Sequence, residues 1–248
     1  PTPLAQQLQE LASRVLRILQ TEVADARRFD PATTRREFRL AVNEIGAITM
    51  VPRLMPVFAR RAPHARLMPV QLDADSLGAQ LEGGGIDLAA GHFPSATGTL
   101  MQQLLYQRAY VCVARADHPH IGDTLTLEQL ARTPQVQTAG VTAIQEWLAA
   151  RLRQEGLSAT VHMISHHVAA VPFMVAASDV IAVVPHEVYE LFRPIAPLKM
   201  VGLPVTLPPI AIHQYWHVRV AADPAIRFLR ELVYETMHEA PPPPGAVA

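Results

Sequence analysis

The sequence predicts an α/β protein with two lobes that are joined by two crossing strands. Strand and helix patterns alternate twice, once over residues 34–114 and once over residues 134–205. The predicted strands within each block are short and almost continuously apolar, which is typical of parallel strands covered on both faces. Long strand patterns at 104–114 and 210–218 lie at the junctions between the blocks. Together these features predict a hinged clamshell, with a crevice at the carboxyl ends of the strands.

The composition argues against several classes of protein. The formal net charge is −1, whereas a domain that grips phosphates is usually clearly basic, so we do not expect these residues to bind nucleic acid. The single cysteine, Cys112, excludes an internal disulfide framework and fits a reducing compartment. The sequence contains no apolar run of about 18 residues, so no membrane span is expected. The chain begins at Pro1 without an initiator methionine, so we expect an upstream segment.

Residues 4–28 have the pattern of one amphipathic helix, which Pro31 terminates. Two interpretations remain open: the helix packs on its own domain, or it is a linker helix that pairs with a partner subunit. Its apolar seam, with alternating spacings of four and three, consists of Leu4, Leu8, Leu11, Val15 and Ile18.

The first block begins with a buried strand at 38–42, followed by a polar corner at Asn43 and Glu44 and a helix over 48–61. Backbone N–H groups at such a corner, together with the helix dipole, form a seat for a small anion. We therefore expect this corner to be one wall of a ligand cleft. The rest of the block is predicted as strands at 65–72 and 86–90 around a short helix at 75–81.

The rest of the chain, which includes the second block, continues this alternation of strands and helices. A Thr126 cap opens its first helix, Gly156 closes the longest one, and Asp223 caps a final helix that runs to His238. The tail at 241–248 (PPPPGAVA) is predicted to be disordered. The other predicted elements are helices at 127–131, 143–155, 167–177 and 187–192, and strands at 136–138, 160–165, 180–184 and 199–203.

Signatures of catalysis or metal binding are weak in this sequence. The chain has no G-x-S-x-G elbow and no paired acid/base carboxylates, and Cys112 lies in the middle of an apolar strand. The triple glycine at 83–85 follows a helix, which suits a turn and not a phosphate loop. Neither a catalytic residue nor a metal ligand is predicted. His166, at the end of a strand, either binds an acidic or phenolic ligand in the crevice or has a structural role.

Six segments carry a resemblance to a known family. They are 38–63, 81–91 (LEGGGIDLAAG), 111–119 (VCVARADHP), 125–131 (LTLEQLA), 178–185 (SDVIAVVP) and 216–232 (WHVRVAADPAIRFLREL). In this order, and over residues 29–240, they resemble the effector-binding domain of LysR-type transcriptional regulators. NEIG at 43–46, ISHH at 164–167 and YWH at 215–217 are similar to the branch that responds to aromatic acids, phenols or flavonoids.

The resemblance implies a bacterial, cytoplasmic regulator that is not an enzyme and needs no cofactor. Its fold would be two Rossmann-like lobes of the type 2 periplasmic-binding-protein kind, preceded by a linker helix. Residues 1–30 would be that dimerising helix in a homodimer or homotetramer, and 31–240 the effector domain. A winged helix-turn-helix domain, expected upstream and absent from this chain, would bind the DNA. Lobe I would comprise about 31–112 and 217–240, and lobe II about 113–216.

The resemblance also assigns positions that would bind the effector, an inducer that we expect to be an aromatic acid or a phenol. A carboxylate at Glu44 would repel an acidic inducer, which favours a neutral or phenolic one. The implied positions are Asn43, Glu44, Ile45, Gly91, His92, Thr138, Ala139, Gly140, Val141, His166 and His213.

Two other functions fit the clamshell. A periplasmic solute-binding protein that delivers its ligand to a transporter has the same two-lobed shape, but such a protein typically begins directly with its first strand. The predicted helix at 4–28 therefore favours the regulator. An enzyme is the third possibility, and it lacks a recognisable set of catalytic residues.

Overall fold

The computed structural model describes residues 2, 12, 29–71, 74–93, 98–139 and 142–238, which form two α/β lobes. The predicted helical seam and the predicted tail lie outside these residues. The helices are α1 (Glu44–Thr49), α2 (Val51–Arg61), α3 (Leu77–Gly83), α4 (Leu127–Arg132), α5 (Thr142–Gln154), α6 (Val171–Ala176), α7 (His186–Phe192) and α8 (Pro224–His238). The strands are β1 (Glu37–Val42), β2 (Arg66–Val70), β3 (Leu88–Gly91), β4 (Leu100–Arg108), β5 (Tyr110–Arg115), β6 (Gln135–Thr138), β7 (Val161–Ser165), β8 (Ala182–Pro185), β9 (Leu198–Val201) and β10 (Ile210–His217).

Lobe I is built on a five-stranded sheet in the order β2-β1-β3-β10-β4. Strand β1 runs parallel to β2 and β3, whereas β10 is antiparallel to β3 and β4. Helices α2 and α8 share a core with this sheet, in which the rings of Phe38 and Phe58 meet edge to face at 5.9 Å. A second cluster joins Leu77 and Leu81 of α3 to Tyr215 of β10. Apolar residues on both sides of the sheet are therefore buried, as the continuous apolar strands predicted.

Lobe II contains a three-stranded sheet, β8-β5-β9, and the parallel pair β6-β7. A bridge between Gln135 and Ile181 links the two sheets. The core of lobe II includes Val113 of β5, Val171 of α6 and Val188 of α7, each with no exposed surface. Thr126 and Gln129 form a reciprocal capping box that starts α4, which confirms the predicted cap.

The long strand predicted at 104–114 is two strands that meet at Ala109. Strand β4 pairs with β10 in lobe I, and β5 pairs with β8 and β9 in lobe II. All of β10 belongs to the lobe I sheet, so the lobe boundaries predicted near residues 113 and 216 do not coincide with the observed pairing. The chain instead passes between the lobes at Ala109 and again between Leu207, which packs on the lobe II core, and Ile210 of β10.

The helix predicted over 48–61 begins earlier and has a break. Asn43 caps α1, which therefore starts at Glu44, and Met50 separates α1 from α2. Pro52 lies at the start of α2, where its missing N–H costs least. The polar corner of the sequence is thus an N-cap followed by the first residue of a helix.

Candidate functional site between the lobes

The carboxyl ends of β1 and β3 place four of the predicted site residues at one edge of lobe I. Val42 of β1 lies opposite Ala90 of β3, so Asn43 and Gly91 come next on neighbouring strands. Strand β10 runs antiparallel beside β3 and pairs His213 with Gly91. Asn43, Gly91, His92 and His213 therefore lie at the same edge, where ligands bind in open α/β sheets.

Asn43 is held in place by its role as the cap of α1. Its Oδ1 accepts a hydrogen bond of 3.0 Å from the N–H of Gly46. A side chain at Gly46 would be crowded, because an added Cβ would lie 3.1 Å from Cβ of Val42. The anion seat expected at this corner is therefore partly filled by the protein's own cap, since Asn43 already satisfies one of the N–H groups that an anion would need.

Glu44 and Ile45 reach across to lobe II. The carboxylate of Glu44 accepts hydrogen bonds from the backbone N–H groups of Val168 at 2.9 Å and Ala169 at 3.3 Å. Ile45 is 1% exposed and belongs to the core cluster of lobe II. We expected the charge of Glu44 to face the ligand and repel an acid. The structure instead directs this charge to N–H donors of the other lobe.

His92 and His213 lie at the same edge of lobe I and interact electrostatically. Nδ1 of His92 lies 3.2 Å from the backbone carbonyl oxygen of Ala211, which sets the orientation of this exposed ring. Partial burial lowers the pKa of His213, and the neighbouring His92 lowers the same pKa further. His213 is therefore mainly neutral at pH 7, a form in which one ring nitrogen donates and the other accepts.

Gly91 leaves room for the close approach of Phe93. A Cβ added at Gly91 would lie 3.0 Å from Cε2 of the Phe93 ring, which is tighter than ordinary packing allows. Phe93 in turn meets Tyr215 edge to face, with ring centroids 5.5 Å apart, and the His213 ring lies 5.9 Å from that of Tyr215. A small residue at 91 thus allows aromatic side chains to pack beneath the histidine pair.

The lobe II side of the site lies at the carboxyl ends of β6 and β7. Thr138 is 1% exposed and pairs in register with Ser165, and the N–H of Ala139 donates to the Ser165 carbonyl at 2.9 Å. Gln145 fixes the end of β6 by donating from Nε2 to the Thr138 carbonyl at 3.1 Å. His166 follows Ser165 and is exposed. Thr138, Ala139 and His166 therefore share one edge, while Gly140 and Val141 lie outside the described residues.

The sequence did not predict Val168, Ala169 and Ala211 as parts of this region. All three contribute backbone groups, N–H at the first two and C=O at the third. Every residue other than proline supplies both groups, so no side-chain pattern marks such positions. The three-dimensional pairing of distant segments is the sole signal that reveals them.

Burial raises the pKa of the Cys112 thiol to about 12, so this group is not a thiolate nucleophile at neutral pH. Within the described ranges, no three or more His, Cys, Asp or Glu side chains cluster where they could hold a metal ion. A small cavity lies away from the facing edges, inside lobe II, between α5 and β6.

This fold is that of a two-lobed ligand-binding domain, a class that includes both regulators and solute-binding proteins. A sequence profile described as "LysR substrate binding domain" matches residues 31–238. The chain is 31% identical over 240 residues to the HTH-type transcriptional activator NagR of Ralstonia sp., covering 97% of this chain and 80% of NagR. It is 32% identical to the activator NahR of Pseudomonas putida, covering 95% of this chain and 78% of NahR.

The chain therefore belongs to the LysR family of transcriptional regulators, and residues 31–238 form its substrate-binding domain. The crystal structure of a probable transcriptional regulator from Pseudomonas aeruginosa superposes with a TM-score of 0.73 at 24% identity, over 95% of this chain and 78% of that one. This structural likeness supports the fold. Of the helices that the structure describes, none is sufficiently long and apolar to cross a membrane.

Proposed function

We propose that this LysR-family domain binds a small aromatic acid or phenol between the edges of its two lobes. The observation that carries the proposal is the position of two histidines, His92 and His213, at the same edge of lobe I, where His92 acts electrostatically on His213. The opposite wall would be formed by the carboxyl ends of β6 and β7, with Thr138, Ala139 and His166. Of the remaining predicted positions, Asn43, Gly91, Gly140 and Val141 would complete the site. Ile45 is buried in the lobe II core and Glu44 is hydrogen-bonded to lobe II, so neither is included.

The chemistry of this edge favours a ligand with one polar group and an aromatic body. Because the pKa of His213 is lowered, its neutral ring can accept from a phenolic hydroxyl or donate to a carboxylate. Phe93 and Tyr215 are buried and pack against each other, and the Tyr215 ring lies 5.9 Å from the ring of His213, so aromatic rings lie beside this imidazole. Glu44 is already hydrogen-bonded to Val168 and Ala169, so its negative charge excludes an acidic ligand less than the sequence suggested.

The proposed mechanism is regulation without chemical conversion of the effector. An effector that binds one arrangement of the lobes better than another shifts their populations toward that arrangement. A linker helix over residues 4–28 would transmit the shift within a homodimer or homotetramer in the cytoplasm. An upstream winged helix-turn-helix domain would then bind DNA. The rival role, a transporter's solute-binding protein, is disfavoured because the similar NagR and NahR are transcriptional activators.

A ligand screen on the purified chain tests this proposal. The panel is benzoate, 4-hydroxybenzoate, phenol and one flavonoid, with cyclohexanecarboxylate as the non-aromatic acid. We expect at least one aromatic compound to raise the melting temperature, and calorimetry to show weaker binding by the His213→Gln variant. The proposal fails if no aromatic compound stabilises the chain, or if those that do bind equally well to His213→Gln.

A further inference from the structure

Glu44 follows a strand of lobe I in the sequence, but its carboxylate is hydrogen-bonded to lobe II. It is the first residue of α1, directly after β1 and its cap Asn43. Both of its carboxylate oxygens accept backbone N–H groups from the other lobe, Oε2 from Val168 and Oε1 from Ala169. These partners lie 124 and 125 residues further along the chain. A single side chain thus makes two hydrogen bonds across the opening between the lobes.

The lobe II partner of Glu44 is a helix start that lacks a cap from its own lobe. A 3₁₀ turn at Val168–Ala170 leads directly into α6, so its first N–H groups have no partner within the helix. His167 stands at the N-cap position, and in the described part of the chain its side chain makes no capping hydrogen bond. Glu44 satisfies these donors from the other lobe, and its negative charge is favoured by the helix dipole.

An apolar contact accompanies the polar one. Ile45, the next residue, is 1% exposed and lies in the lobe II core cluster with Val168, Val171 and Val188. Helix α1 also packs against α7 of lobe II. Helix α1 therefore joins the two lobes, with Ile45 as its buried anchor and Glu44 as its charged, partly exposed contact.

We propose that Glu44 is an intramolecular latch that holds the two lobes together when no effector is bound. The chain passes between the lobes at Ala109 and near residues 207–210, so the lobes can change their angle about these points while α1 detaches. Because Glu44 is only partly buried, water can satisfy both the carboxylate and the two N–H groups after opening. The latch is therefore reversible, and it sets the proportion of closed molecules.

The latch is tested by measuring the distance between the lobes in the effector-free chain. Spin labels are attached to Ala79→Cys on α3 of lobe I and Ala150→Cys on α5 of lobe II, both exposed positions. Cys112 stays unlabelled because it is buried and its thiol has a raised pKa. The distance distribution is compared for the parent chain, Glu44→Gln and Glu44→Ala.

We expect Glu44→Ala to raise the ratio of open to closed molecules about tenfold, since it removes two hydrogen bonds to a charged group. Glu44→Gln has the same length and retains one acceptor, so its distribution should lie between those of the parent and Glu44→Ala. The matched control is Glu82→Gln, which neutralises an exposed carboxylate on α3 and should leave the distances unchanged.

Circular dichroism establishes that each variant is folded before its distances are compared. If a folded Glu44→Gln and a folded Glu44→Ala both give the parent distribution, Glu44 is not a latch. Should Glu44→Ala fail to fold, the isosteric Glu44→Gln decides the question alone. No effector is present in this experiment. A result that contradicts the latch would therefore not contradict the proposed effector site.

Discussion

Nε of Arg108 donates a hydrogen bond of 3.3 Å to the carboxylate of Glu187 at the point where the chain first leaves lobe I. Arg108 is the last residue of β4 and is only 4% exposed, whereas Glu187 lies in α7 of lobe II. Nη2 of Arg108 also donates to the Tyr106 hydroxyl at 2.8 Å. A buried cation at the hinge is thus balanced by a carboxylate from the opposite lobe.

Replacing Glu187 by Gln should destabilise the chain. The change leaves the buried Arg108 charge without its counter-ion, and a buried charge without a partner is costly. Glu187 is about one-third exposed, which reduces the loss, so we expect the free energy of unfolding to fall by roughly 1–2 kcal/mol. Urea denaturation measures this change in the free energy of unfolding. Glu190→Gln on the same helix, which breaks a surface pair with Arg193, should cost below about 0.5 kcal/mol, and equal losses would contradict this account.

The hinge at Ala109 illustrates which features of the fold can be predicted from the sequence and which cannot. Apolar alternation identified the strand from 104 to 114, because side chains on both halves face a core. Alternation does not say which sheet a strand joins, so the break at Ala109 was missed. The order of strands and helices, in contrast, was predicted for both lobes, since some helices carried local signals such as the Thr126 cap and the Asp223 cap.

The positions of the strand ends, where the effector site is proposed, were predictable for the same reason. The ends of β1, β3, β6 and β7 could be located from sequence. Parallel pairing brings such ends together, as observed for Val42 with Ala90 and for Thr138 with Ser165. The partner of Glu44 could not be found in this way. Glu44 is bonded to two N–H groups that lie more than 100 residues away in the chain. The distance from its carboxylate to these groups depends on how far the lobes are closed.

Substituting Gly91 by Ala should disturb the histidine edge. The new Cβ would press on Phe93, which must shift away from Tyr215, so we expect a loss of about 1 kcal/mol in unfolding free energy. Thermal and urea unfolding measure the change. Gly78→Ala is the matched control, because a Cβ there meets no atom within 4 Å, and this variant should be neutral or slightly stabilised. If both variants were equally stable, the crowding at Gly91 would not affect the free energy of unfolding.

His213 should make stability depend on pH. Its pKa is lowered in the folded chain, so the folded state binds this proton less readily than the unfolded state does. The contribution of His213 to stability is complete above its ordinary pKa of about 6.5 and decreases as the pH falls below that value. The difference in melting temperature between about pH 7.5 and about pH 5.5 should shrink in His213→Asn. The exposed His64→Asn serves as control, and an unchanged difference in His213→Asn would refute the effect.

The apolar seam of the predicted helix at 4–28 predicts an oligomer interface, and charged substitutions on this seam should disrupt it. Leu11→Asp together with Val15→Asp places two carboxylates on the apolar stripe and should lower the mass measured by light scattering. Gln7→Asp together with Gln9→Asp adds the same charge off the seam and should leave the mass unchanged. These positions lie outside the described residues, so the prediction depends on their spacing alone. An unaltered mass in the seam variant would favour a helix packed on its own domain.

His166 provides the most direct test of the lobe II wall. It follows Ser165 at the end of β7, where the hydroxyl of Ser165 accepts the N–H of His167 at 3.1 Å and fixes the turn. If the exposed His166 ring contacts the effector, His166→Ala should weaken binding of the aromatic compound found in the screen by about tenfold, the loss of one hydrogen bond to a charged or phenolic group. His162→Ala removes another exposed imidazole, from within β7, and should leave the affinity unchanged. Calorimetry on both variants separates the two roles, because equal affinity in His166→Ala and the parent chain would assign His166 to the surface of lobe II and leave effector recognition to the His92 and His213 edge.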